Sequence, residues 1–232
     1  MLVVCAGTGT EVGKTWVGAS VLATLRSAGV AVAARKPAQS FGPDDAYLTD
    51  AHVLAAATGE DPTVVCPSHR WYPVPMAPPM AAAALDQPPF GIADLVAELA
   101  WPEHPPGDVS VNIGGMQAAD ALAHPTLRWV ETVGGVRSPL ADDGDTVELC
   151  SALNPQLVVL VADAGLGTIN AVLLSVAALA GHRLVTMLNR YHPSNDLHRR
   201  NLEWLAQRCH LDVVTTPSAL AERLRVQVAV AR

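Results

Sequence analysis

A lysine and three threonines stand among closely spaced glycines near the N-terminus, in Gly7-Thr8-Gly9-Thr10-Glu11-Val12-Gly13-Lys14-Thr15. These residue types in this order suit phosphate chemistry. Successive backbone N–H groups in a glycine-rich turn can surround phosphate oxygens, Lys14 adds a compact positive charge, and the Thr15 hydroxyl can coordinate a divalent cation. The segment follows the apolar run Leu2 to Cys5 and precedes a helical pattern, which is the context a phosphate-binding loop requires. The strict spacing of such loops places a glycine at position 8, where this chain has Thr8, and glycines 7, 9 and 13 also fit a loose dinucleotide fingerprint. A dinucleotide site needs an acid at the end of the second strand to hold the ribose, whereas Arg35 and Lys36 stand there. Gly13-Lys14-Thr15 has no role in such a turn, so the phosphate loop is the better reading.

The elements that must position this loop are legible as short apolar runs. They occur at Leu2 to Cys5, Val30 to Ala34, Val109 to Ile113, Arg128 to Val133, Leu157 to Ala162, Leu184 to Leu188 and Leu211 to Thr215. Runs of this kind suit strands buried on both faces. Helical patterns fall between them: Val17, Val21, Leu25 and Ala28 share one face, Leu202 and Leu205 lie among charges in Leu197 to Arg208, and Ala81 to Ala84 is a helix segment. The alternation predicts an α/β fold with a doubly wound, mostly parallel sheet flanked by helices, as one domain spanning 1–232. Pro and Gly cluster at Cys66 to Pro79, Gln87 to Gly91 and Trp101 to Gly107, which predicts long surface connections in the first half. The segment Tyr72 to Met80 suits the wall of a small-molecule pocket.

Composition narrows the partners. Half of the 232 residues are hydrophobic, 16% are charged and 4% are aromatic, so Ala, Val and Leu must fill the core. A net charge of -7 provides no basic field for a nucleic-acid backbone, so no nucleic-acid partner is expected. Cys5, Cys66, Cys150 and Cys209 are isolated, which predicts neither disulfides nor a zinc site and fits a reducing cytoplasm. His192, His198 and His210 lack a metal-like grouping. The charge-free stretch Ala164 to Gly181 reads as a loop leading into a buried helix, not as a membrane span.

The loop Gly7 to Thr15, followed by Lys36-Pro37 after the second strand, resembles dethiobiotin synthetase. Further matches extend over most of the chain: Asp50-Ala51 at a helix start, Glu131 with Gly134-Gly135, and Leu166-Gly167-Thr168-Ile169-Asn170. It departs from the family pattern where Thr132-Val133 follow the glutamate, where Ala171 follows Asn170, and within Lys36-Pro37-Ala38-Gln39-Ser40. A segment at 109–125 looks inserted and carries a rival Ile113-Gly114-Gly115. The resemblance implies an ATP- and Mg-dependent ligase that closes a cyclic urea on 7,8-diaminononanoate with CO2. A paralogous ATPase acting on another small amine or acid, or a regulatory ATPase, remains the alternative.

The resemblance also distributes roles. Gly9, Thr10, Glu11, Val12, Gly13, Lys14 and Thr15 would hold ATP or another nucleoside triphosphate, with Asn189 and Pro217 at the base. Thr15, Asp50 and Glu131 would hold Mg, a cation content with few carboxylates, although Asp44 and Asp45 compete with Asp50. Lys14, Lys36, Thr10 and Ser40 would carry the catalysis, with Lys36 and Ser40 also meeting the substrate. Gly167, Thr168, Ile169 and Asn170, read as free N–H donors ahead of a helix Val172 to Leu179, would hold the substrate carboxylate across a homodimer interface.

Overall fold

The computed structural model describes residues 1–42, 47–101 and 127–230. The expected strand Val109 to Ile113, the rest of 109–125, and Asp44 and Asp45 lie outside these residues. A six-stranded sheet runs through the middle, formed by β1 (Leu2–Gly7), β2 (Val32–Arg35), β5 (Leu127–Glu131), β6 (Leu157–Asp163), β7 (Leu184–Asn189) and β8 (Val213–Val214). Its spatial order is β2-β5-β1-β6-β7-β8 and every pairing in it is parallel. A second, two-stranded parallel sheet joins β3 (Gln39–Ser40) to β4 (Trp71–Tyr72).

The unbroken apolar runs follow from burial on both faces. Successive strand side chains alternate. In β1, Val3 and Cys5 enter one core cluster and Val4 and Ala6 the other; in β6, Leu157, Val159 and Val161 face the first cluster and Val158, Leu160 and Ala162 the second. Helix α1 (Lys14–Ser27) covers the first face with Val17, Val21, Leu22 and Leu25, packed against α2 (Asp50–Thr58) and α9 (Pro217–Val230). Each such aliphatic side chain contributes about 1.5–3 kcal/mol through burial. Ala28 lies just past the end of α1 and is exposed, so the helical stripe ends one position earlier than its spacing predicts.

The second face is covered through α5 (Ile92–Ala97), α6 (Thr146–Leu153), α7 (Thr168–Ala178) and the π-helical turn Trp204–Arg208 that follows α8 (Asp196–Glu203). The remaining helices are α3 (Pro62–Val65) and α4 (Pro78–Ala84), the latter matching the alanine-rich segment. Among the described residues, no helix is long and apolar enough to cross a membrane.

Four expectations change. The run Leu211 to Thr215 yields only the two-residue strand β8, and Leu211, half-buried against the second core cluster, lies outside the ladder. The connection Cys66 to Pro79 is not purely surface: Trp71–Tyr72 extends a strand beside Gln39–Ser40, and Tyr72 is buried and stacks on Phe90. Helix α7 starts at Thr168, not Val172, so Thr168, Ile169 and Asn170 are its first turn. Nor is α7 fully buried. Val172, Ser175 and Leu179 face the core, while Leu173 and Leu174 face outward.

Candidate active site

The phosphate loop leaves β1 at the sheet's C-terminal edge, where following loops converge. Glu11 adopts φ 59° and Gly13 φ 91°, both left-handed, and this curls the backbone before α1 begins at Lys14. Among the described residues, no backbone N–H from Gly9 to Thr15 is given to a protein acceptor. The loop is therefore a concave row of free donors at a helix start, a site for anionic oxygen.

Lys14 lies along this row. Its ammonium donates to the carbonyls of Gly9 (3.0 Å) and Gly134 (2.8 Å). An ammonium has three donors, so one remains for a ligand. Burial, then the nearby Lys36, push the Lys14 pKa below the ordinary lysine value. A phosphate placed here would relieve both effects.

Next to the loop stands a charged cluster assembled from three strand or helix ends. Thr15 opens α1, Asp50 opens α2, and Glu131 closes β5, whose register sets it beside Cys5. The Thr15 Oγ1 is 2.8 Å from Asp50 Oδ1 and 2.7 Å from Glu131 Oε1. A hydroxyl has one proton to give, so one of these two oxygen contacts has no hydrogen in it. Glu131 Oε2 is buried and without a hydrogen-bond partner. Hard oxygens gathered with an unsatisfied carboxylate atom fit a small divalent cation of the Mg type, which needs only one or two protein carboxylates beside phosphate and water.

Lys36 follows β2 and holds the acids together. Its ammonium is 2.7 Å from Asp50 Oδ2 and 2.8 Å from Glu131 Oε1, and lies 3.3 Å from the carbonyl of Thr132. Burial works against its charge, but Asp50 and Glu131 outweigh it and raise the Lys36 pKa well above the ordinary value. Burial likewise opposes the charge of Asp50, and Lys36 followed by the Thr15 hydroxyl brings its carboxyl below the usual aspartate range.

The loop, Thr15 and Asp50 border a cleft of about 560 Å³, while Lys36 and Glu131 are buried and outside its lining. Thr10, Glu11, Gly13, Lys14, Thr15, Ser40 and Asp50 line it, as expected from the sequence, and Pro75 to Pro78 form part of its wall. A neighbouring cleft of about 580 Å³ contains Asn189 and Pro217, the expected base residues, with Gly13 common to both clefts. The Asn189 amide nitrogen is not free, because it donates to the Val12 carbonyl at 2.9 Å.

Gly167, Thr168, Ile169 and Asn170 line neither cleft. Gly167 has φ 89° and caps α7 without a side-chain hydrogen bond, and Asn170 is exposed. Several contributors escaped sequence reasoning. Ser138 lines the first cleft and accepts from the Gly135 N–H at 2.8 Å, Gln39 accepts from the Ala51 N–H at 3.0 Å, and Arg190 donates to the Glu11 carbonyl at 2.8 Å. Ser138 and Arg190 are single polar residues outside a recognisable motif, Gln39 is an unremarked member of the Lys36 to Ser40 segment, and only proximity in the fold reveals the part each takes. The described residues contain no group of three or more His, Cys, Asp or Glu that could hold a metal by themselves. Any cation here would depend on the hydroxyl and the nucleotide for its other oxygens.

Comparison with known proteins gives the family of the chain. A family model described as AAA domain matches residues 2–214. The ATP-dependent dethiobiotin synthetase BioD of Haloferax mediterranei is 34% identical over 215 residues, covering 91% of this chain and 81% of that protein. Its namesake from Rhodococcus jostii is 34% identical over 232 residues, covering 96% and 88%. That of Anaeromyxobacter sp. is 33% identical over 235 residues, covering 94% of each.

Proposed function

The chain belongs to the dethiobiotin synthetase family of ATP-dependent ligases, and we propose that it closes the cyclic urea of dethiobiotin on 7,8-diaminononanoate with CO2, ATP and Mg. The observation that carries this reading is the free-donor loop bordering one cleft together with Thr15 and Asp50, which are held by the buried Glu131 and Lys36. One substrate amine adds to CO2 and loses a proton to give a carbamate. A carbamate oxygen then attacks the γ-phosphorus and ADP leaves with the electrons of the broken P–O bond. The second amine attacks the carbonyl carbon of the mixed anhydride, phosphate departs with the electrons of the broken C–O bond, and the amine gives up a proton to solvent as the ring closes.

The loop N–H groups and Lys14 bind and orient the phosphates, while Thr10 and Ser40 supply hydroxyl donors at the cleft wall. Thr15, Asp50 and Glu131 would hold Mg, which when bound neutralises charge on the transferred phosphoryl group. Lys36, kept protonated by the two acids, presents fixed positive charge where the carbamate develops its own negative charge.

The same reading places the substrate carboxylate at the first turn of α7, contributed by a second copy of the chain. Two observations support a homodimer. Gly167 to Asn170 lie outside the chain's own clefts, and Leu166 (92% exposed) and Leu174 (66%) leave large apolar side chains in water beside them. The direct test is to incubate the protein with diaminononanoate, bicarbonate and ATP, with and without Mg, and to follow dethiobiotin by mass spectrometry. Product that requires both ATP and Mg is the expected result. ATP hydrolysis with no dethiobiotin would overturn the proposed substrate.

A further inference from the structure

The turn after β5 carries a hydroxyl that has no part in the chemistry so far. Ser138 lines the first cleft and not the second. Its Oγ accepts from the Gly135 N–H at 2.8 Å, and its own backbone N–H donates to the Gly135 carbonyl at 3.0 Å, so Gly135 and Ser138 close the turn through two bonds. The side chain is thereby held in place. A hydroxyl also has one proton to give, and among the described residues no protein acceptor takes that of Ser138. It is left for whatever enters the cleft.

Two contacts tie this turn to the phosphate loop. Gly135 forms an antiparallel bridge with Thr8, and the Gly134 carbonyl accepts from the Lys14 ammonium at 2.8 Å. Gly134 has φ 56°, and a Cβ added there would lie 2.4 Å from Ser138 Oγ and 3.9 Å from Thr10 Oγ1. The Ser138 and Thr10 hydroxyls thus flank Gly134 on the cleft wall, beside the residue that Lys14 touches. In a phosphate loop the backbone N–H groups cradle the inner phosphates and the lysine reaches the outer ones. A hydroxyl beside the lysine stands at the outer end.

We infer that Ser138 is a further catalytic residue, donating its hydroxyl proton to an oxygen of the γ-phosphoryl group while the Gly135 N–H fixes its position. The inference rests on the reading that phosphates occupy the loop from Gly9 to Thr15, and it adds a residue to the proposed ligase site. A donor aimed at the transferred group separates ATP from ADP, because ADP has no oxygen to offer there. A serine that only closed the turn would affect both nucleotides alike.

The wild type, Ser138→Ala and Ser138→Cys are titrated with ATP and with ADP by calorimetry, with Mg present and the diamino acid left out so that ring closure does not consume the ATP. In Ser138→Ala, affinity for ATP should fall about tenfold or more while affinity for ADP stays within about twofold of the wild type. Ser138→Cys keeps the shape of the side chain with a weaker donor, so it should show the same split in smaller measure, and it decides the matter if the alanine variant does not fold. With diaminononanoate and bicarbonate added, kcat/KM for ATP should fall together with ATP affinity. Unchanged ATP affinity in the folded variants, or ATP and ADP affinities that fall together, would overturn the inference and leave Ser138 with the turn alone. If the split is seen but the wild type makes no dethiobiotin, the ligase reading fails and the Ser138 contact stands. A wild type that binds neither nucleotide would remove the loop assignment and the inference together.

Discussion

Replacing Lys36 with methionine keeps most of the side-chain volume and deletes the charge that lies between two acids. In the native chain the ammonium is 2.7 Å from Asp50 and 2.8 Å from Glu131, and Glu131 is 0% exposed. Asp50 can turn partly to water. Glu131 cannot, so Lys36→Met leaves a buried carboxylate without its principal countercharge, a change that costs about 3–5 kcal/mol. In a chain of this size each kcal/mol shifts Tm by about 2–4 °C, so a fall of roughly 6–20 °C is expected. Adding Glu131→Gln to Lys36→Met removes the stranded charge and should recover most of the loss. The Lys36 pKa is raised in the folded state, so its contribution is complete below the ordinary lysine value and fades only as pH rises through the folded value. Measurements near neutral pH therefore capture it in full. Urea and thermal unfolding of the wild type, both single variants and the double variant provide the cycle. A loss below about 1 kcal/mol in Lys36→Met, or a double variant no more stable than Lys36→Met, would refute the reasoning.

Gly13→Ala must hold an alanine at φ 91° with its Cβ 2.2 Å from the Asn189 amide nitrogen. It should displace the loop and abolish calorimetric nucleotide binding, and wild-type affinity would contradict that. Asp50 titrates below the ordinary aspartate value in the folded state because Lys36 and Thr15 outweigh its burial. Its stabilisation is thus complete above about pH 4 and is lost as pH falls further, through the folded value. The urea midpoints of the wild type and Asp50→Asn should converge over that acid range, and a gap that stays constant would speak against the ion pair. Asn170→Asp puts negative charge in the first turn of α7 and should weaken diamino-acid binding far more than ATP binding. Equal weakening of both, or a fully active monomer in sedimentation at assay concentration, would reject a site shared between two copies.

The sheet was legible because its strands are buried on both faces, so apolar runs mark them without ambiguity. Leu2 to Cys5 and Leu157 to Ala162 match β1 and β6 nearly end to end. Edge strands were harder. β8 is two residues long and its flanking apolar residues pack as core side chains, so a hydrophobic run overstates it. The start of α7 was misplaced because Gly167 in a left-handed conformation caps the helix with no side-chain signal, and because Thr168 and Asn170 read as loop residues when they stand in its first turn. Among the site residues, Lys14 and Thr15 sit in a contiguous motif that local sequence exposes. Asp50 and Glu131 are 35 and 116 positions from Thr15 and meet it only through the parallel register of β1 and β5 and the start of α2.

What no local pattern reveals is how the loop keeps its donors turned outward. The Gly9 carbonyl is held within the loop by Lys14, and two more carbonyls are tied to residues far along the chain: Val12 to Asn189 and Glu11 to Arg190. The last two residues end and follow β7, more than 170 positions away, and Arg190 is in turn paired with Asp163 at the end of β6 at 2.8 Å. With these carbonyls engaged, the unpaired N–H groups are what the loop has left to offer a ligand. The loop thus enters binding with its dipoles already aligned, and a phosphate need not reorganise them. Asn189→Leu should therefore release the Val12 carbonyl and weaken ATP binding in calorimetry, and wild-type affinity would count against the bracing.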